Sequence, residues 1–157
     1  MTRQAARGGE SGTAVDGGNR TTGVALFEEV APARPDEVSG LRHRLATWLG
    51  ALPVTSDVGY DVTLATYEAL TNVVDHAYPG RAGKVRLRAA WNGAGITVEV
   101  TDTGRGLPAR PRCASTAPTE RGRGLILIRK TADEVRIETG ENGTTVVLTW
   151  RARPGAH

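Results

Sequence analysis

From Ser56 to about Ala77 the chain carries one long stretch with Val58, Val62, Leu64, Ala65, Ala69, Val73 and Ala77 available for packing, mostly at the three- and four-residue steps of an α-helix. Ser56 or Asp57 is placed to cap its start. Tyr78-Pro79-Gly80 stops it, because proline cannot continue a helix and glycine turns the chain. The same stretch holds Glu68 and Asn72, and a four-residue spacing stacks both side chains on one helix face. There a carboxylate can act as a base while a carboxamide oxygen holds a hard cation, a workable arrangement for chemistry on a magnesium-bound nucleotide. Glu and Asn at this spacing also occur on solvated helix faces, so the pair needs support from elsewhere in the chain.

The remaining elements arrange themselves around that helix. Gly23 to Val30 reads as a first strand, and Asp36 is placed to cap a helix with Val38, Leu41, Leu45, Trp48 and Leu49 as its apolar stripe. Leu52-Pro53 ends it. Strands are expected over about Lys84 to Trp91 and Ile96 to Thr101, joined by the hairpin signal Asn92-Gly93-Ala94-Gly95. From Thr103 to Arg121 there are three prolines and no periodicity, a long loop of the kind that is usually functional or disordered. A short helix from Gly124 to Ala132 and a hairpin of strands Glu134 to Thr139 and Thr144 to Arg151 complete the chain. The sum is an α+β two-layer sandwich, a mixed β-sheet with its helices on one face.

Two glycine-rich segments fall between strand-like and helix-like sequence: Val100-Thr-Asp102-Thr-Gly104-Arg-Gly106-Leu and Glu120-Arg-Gly122-Arg-Gly124-Leu. Glycine lets the backbone approach a ligand closely, and a glycine turn opening a helix presents free N–H groups to phosphate. In order, the Glu68/Asn72 helix, Asp-x-Gly-x-Gly, Gly-x-Gly and Gly143-Thr144-Thr145 on the final strand resemble the nucleotide site of the GHKL ATPase superfamily, which has the Bergerat-type fold. Within it the chain resembles the bacterial anti-sigma factor serine/threonine kinases, whose helix reads Glu-Ala-x-x-Asn-x-x-x-His-x-Tyr; Glu68, Ala69, Asn72, His76 and Tyr78 match it in turn. Histidine kinases usually have Asn in place of Glu68 and often a basic residue in place of Asp75. The resemblance spans roughly residues 23 to 151, leaving a tail of residues 1 to 22, too poor in large apolar side chains to order itself, and a C-terminal tail of residues 152 to 157.

The resemblance implies ATP and Mg²⁺ as ligands and assigns the residues. Asn72 would give its amide oxygen to Mg²⁺, and Glu68 would be the catalytic base toward a serine hydroxyl. Asp102 would accept from the adenine amino group, and Thr144 would lie under the adenine. Gly104 and Gly106 would let the chain pass close to the base, and Gly122 and Gly124 would cradle phosphate. His76 receives no catalytic role. The implied function is an anti-sigma factor that binds a sigma factor and phosphorylates an anti-anti-sigma (STAS-type) partner. The alternatives are an ATP-gated binding module without phosphotransfer and a catalytic fragment working with a separate phosphoacceptor histidine. The helix Val38 to Leu49 with its Trp48 is a candidate surface for a homodimer, and ordinary core packing is the alternative that the sequence leaves open.

Charge and composition limit the other classes. The net charge is +3, and between Thr103 and Gly124 five arginines, Arg105, Arg110, Arg112, Arg121 and Arg123, oppose only Glu120. That places the basic excess over the expected nucleotide site. A nucleic-acid surface is disfavoured, since aromatics for base stacking are few and no nucleic-acid motif is present. A single cysteine, Cys113, excludes an internal disulfide and a multi-cysteine metal site. No apolar run approaches the ~18 residues of a membrane span, and no signal peptide is evident, so a cytoplasmic protein with no membrane partner is expected.

Overall fold

The described residues form a sheet of five strands, in which the fifth in chain order lies between the third and the fourth and the first is at the far edge beside the second, and one face of it carries the core. The computed structural model describes residues 23 to 105 and 120 to 152. The elements are β1 (Ala25–Pro32), α1 (Pro35–Gly50), α2 (Ser56–His76), β2 (Lys84–Trp91), β3 (Gly95–Asp102), α3 (Glu120–Thr131), β4 (Glu134–Gly140) and β5 (Gly143–Arg151).

Strand alternation decides which side is buried. Val85, Leu87 and Ala89 of β2, Ile96, Val98 and Val100 of β3, and Val146, Leu148 and Trp150 of β5 all point to one face and are buried. They pack with Val38, Leu41 and Leu45 of α1, Val62, Ala65, Leu70 and Val73 of α2, and Ile128 of α3. The opposite face carries Glu28, Arg86, Arg88 and Arg136, with Arg86 Nε donating to Glu28 at 2.8 Å across β1 and β2. Helices therefore lie on one face only, as expected.

The expected mixed sheet is corrected, because all four strand pairings are antiparallel. Two helices, not one, connect β1 to β2, so the chain reverses direction an extra time before it pairs. β4, which follows α3, does run parallel to β3, but β5 folds back as a hairpin and occupies the place between them.

Local signals explain the boundaries. Asn92 Oδ1 accepts from the N–H groups of Ala94 and Gly95 at 3.0 Å each, and Gly93 takes φ 80°, which closes the β2–β3 hairpin as read from the sequence. Two caps differ from expectation. Pro35 opens α1, with its fixed φ suited to the first helical position, so Asp36 lies inside the first turn. Thr55, one residue before Ser56, caps α2 by accepting from Val58 N at 3.4 Å. α3 starts at Glu120, four residues before the expected Gly124. Trp48 is half-buried with its ring centroid 5.9 Å from that of Phe27 in β1, so its ring takes part in packing within the chain, the alternative that the sequence left open.

Candidate nucleotide site

The C-terminal half of α2 and the adjoining ends of β3 and β5 enclose a cleft whose described walls include Asn72, His76, Asp102, Arg105 and Thr144. On α2 the lining residues are Ala69, Asn72, Val73, His76 and Ala77, steps of three and four that put them on a single stripe. Val100 and Val146 form an apolar floor, and Leu125 and Ile128 of α3 face them from the other side. The space between is about 20 Å³, room for about one water and less than a purine fills.

Asp102 and Thr144 are direct cross-strand partners at the ends of β3 and β5, and both are buried, at 6% and 5% exposure. Such burial is costly for an ionised carboxylate unless it is hydrogen-bonded. Desolvation pushes the Asp102 carboxyl above its ordinary value, and the backbone N–H groups of Gly104 and Thr144 act in the opposite direction. Gly104 N donates to Asp102 Oδ1 at 3.0 Å. Gly104 is itself buried against α2, where a methyl group would overlap the Ala77 carbonyl. Gly143, at φ 126°, brings β5 so close to the Asp102 carbonyl that any side chain there would overlap it.

The residues expected from sequence are thus partly gathered. Asn72, Asp102 and Thr144 line one cleft, and Gly104 lies directly behind Asp102. Glu68 sits half-buried one turn before Asn72 on α2, outside the cleft's described lining. Gly122 and Gly124 fall within the first turns of α3 rather than ahead of it. Gly106 and Cys113 lie outside the described residues. His76 and Arg105 also line the cleft, although the helix-end position of His76 suggests only packing. The available signal was its place four residues after Asn72, on the same stripe.

The residues present suit a magnesium nucleotide. Among the described residues no three His, Cys, Asp or Glu side chains are grouped to hold a metal, and Asn72 is the carboxamide that lines the cleft. Mg²⁺ commonly takes one or two protein oxygens and completes its shell with phosphate and water, so a single amide oxygen is a sufficient protein contribution.

The family described as "Histidine kinase-like ATPase domain" matches residues 31–150. This chain belongs to that family. It is 31% identical over 134 residues to the serine-protein kinase RsbW of Bacillus subtilis, covering 78% of this chain and 83% of the relative. It is 30% identical over 112 residues to an anti-sigma F factor of Thermoanaerobacter sp., covering 67% of this chain and 78% of that one. Among solved structures, the RsbU and RsbW domains of Rv1364c from Mycobacterium tuberculosis superpose with a TM-score of 0.63 at 24% identity, over 83% of this chain and 33% of that one. This likeness establishes the shared fold. No helix among the described residues is long and apolar enough to cross a membrane.

Proposed function

We propose that the chain is an ATP-dependent protein serine/threonine kinase that acts as an anti-sigma factor, binding a sigma factor and phosphorylating an anti-anti-sigma partner of STAS type. The observation that carries this reading is the convergence of Asn72, Asp102 and Thr144 on one apolar-floored cleft in a chain of the histidine kinase-like ATPase family. The names of its relatives, a serine-protein kinase and an anti-sigma F factor, support phosphotransfer to protein serine and a sigma-factor partner, while the anti-anti-sigma partner rests on the motif resemblance.

In this reading Asp102 accepts from the adenine amino group while Val100 and Val146 hold the ring, and Thr144 steadies the same strand end. Mg²⁺, when bound, would supply positive charge against the phosphates. Asn72 offers it an amide oxygen. Gly122 lies in the first turn of α3, where N–H groups without helical partners favour phosphate, and Gly124 in the following turn adds no side chain to that approach; the role of Gly106, outside the described residues, rests on the motif alone. Glu68, one turn from Asn72, takes the proton from the incoming serine hydroxyl. Phosphoryl transfer depends mainly on positioning and charge stabilisation, so losing this base lowers rate more than nucleotide affinity. A homodimer through Trp48 is not part of the proposal, since that ring packs on Phe27.

The position of Glu68 outside the described lining favours one second reading, in which ATP sets the conformation of a partner-binding module and no phosphate moves. Label transfer from γ-labelled ATP with Mg²⁺ to proteins of a source-cell lysate separates the two. The kinase reading expects an acid-stable labelled band that Glu68→Ala abolishes. ATP binding without any labelled protein would establish the second reading, and an acid-labile band would point to phosphohistidine.

A further inference from the structure

Three successive backbone N–H groups after β3 each have a separate partner. Thr103 N donates to the Tyr78 hydroxyl at 3.0 Å, Gly104 N to Asp102 Oδ1 at 3.0 Å, and Arg105 N to the Ala77 carbonyl at 2.6 Å. Two of these acceptors belong to the residues that end α2, so the segment leaving Asp102 is fastened to the helix that carries Asn72. Only one of the three fastenings, the Tyr78 hydroxyl, is a side chain from outside the segment.

The hydroxyl's capacity is fully used. A phenol has one proton, and Tyr78 Oη donates it to the Lys84 carbonyl at 2.5 Å, at the start of β2. Its lone pairs remain for Thr103 N and, at 3.4 Å, for the Thr103 hydroxyl. The ring lies against the backbone at Gly83, where a methyl group would overlap it, and Arg81 places its guanidinium 5.4 Å from the ring centroid. The ring is thus held from two sides while its oxygen joins α2, β2 and the β3 exit at one atom.

We propose that Tyr78 is a positioning residue for adenine recognition: its hydroxyl fixes Thr103, and so sets where the neighbouring Asp102 carboxylate meets the base. This rests on reading the cleft as an ATP site. The groups that Tyr78 Oη serves lie where solvent can reach them, so water can replace the hydroxyl without loss of the fold, but water cannot hold Thr103 in one place.

The test compares affinity for ATP with affinity for purine riboside triphosphate, which lacks the 6-amino group, in the wild-type protein and in Tyr78→Phe. An unfolded fraction weakens both ligands by the same factor, so their affinity ratio reports on Asp102 alignment alone. The wild type should prefer ATP, and Tyr78→Phe should lower that preference on the order of tenfold, since small misplacements of a positioned group carry large penalties. Gly83→Ala keeps the hydroxyl but displaces the ring beneath it, and should lower the ratio in the same direction. An unchanged ratio in both variants, whatever their stability, overturns the proposal. A wild type that binds neither nucleotide, or binds both equally, overturns instead the reading of the cleft on which it rests.

Discussion

Replacing Asp102 with Asn should move stability and nucleotide binding in opposite directions. Asp102 is 6% exposed and its pKa is raised by desolvation, with the backbone N–H groups of Gly104 and Thr144 only partly offsetting that cost. A folded-state pKa above the unfolded value of 3.8 means that the native protein holds this proton more tightly than the unfolded chain does. By linkage, stability from this group is greatest below 3.8, falls as pH rises from there through the raised folded value, and then stays level. The carboxamide that replaces it does not titrate, so the melting-temperature difference between Asp102→Asn and wild type should shift in favour of the variant as pH rises across that window. Asn keeps one acceptor oxygen but turns an amino group toward the other contacts, and it loses the charge. A hydrogen bond to a charged acceptor contributes about 1.5–3 kcal/mol, so ATP affinity should fall by roughly ten- to a hundredfold. Thermal scans from acid to neutral pH, with calorimetric titration of ATP at neutral pH, measure both. A constant melting difference at every pH together with unchanged ATP affinity would overturn this assignment of Asp102.

Two further substitutions follow from the packing around the site. Thr66 is fully buried on α2 and its hydroxyl has no hydrogen-bond partner among the described residues, so Thr66→Val should stabilise the fold by about 1–2 kcal/mol; urea unfolding with an unchanged m-value would register it, and a loss of stability would show that the hydroxyl is satisfied. Gly143→Ala places a methyl group against the Asp102 carbonyl at a φ of 126°, and should cost about 2 kcal/mol or more while also weakening ATP binding; a variant with wild-type melting and affinity contradicts this close approach of β5 to β3.

Local rules made part of this architecture legible in the sequence. The hairpin of β2 and β3 could be read because Asn92 and Gly93 have a conformational role that few other residues fill. α2 could be read from its periodicity and from Tyr78-Pro79-Gly80. Sheet order was harder, because whether β4 or β5 neighbours β3 is settled by long-range packing that leaves no local pattern. Trp48 looked like a surface contact since periodicity identifies a face and not what covers it, and Phe27 covers it from a strand that precedes it by about twenty residues. Asp102 and Thr144 were each recognisable through a family pattern, but their cross-strand pairing depends on the β3–β5 register. Tyr78 read as part of a helix stop. Its link to Thr103 joins positions 25 residues apart, which no spacing rule could supply.

An experimental structure with Mg²⁺ and a non-hydrolysable ATP analogue would decide whether the cleft is the nucleotide site. The adenine amino group should lie within about 3 Å of the Asp102 carboxylate, the cation on the Asn72 amide oxygen, and Leu125 and Ile128 away from the cleft floor. A nucleotide bound elsewhere on the chain, or one seated in the cleft with its phosphates toward Asp102 and its base toward Asn72, would contradict that assignment.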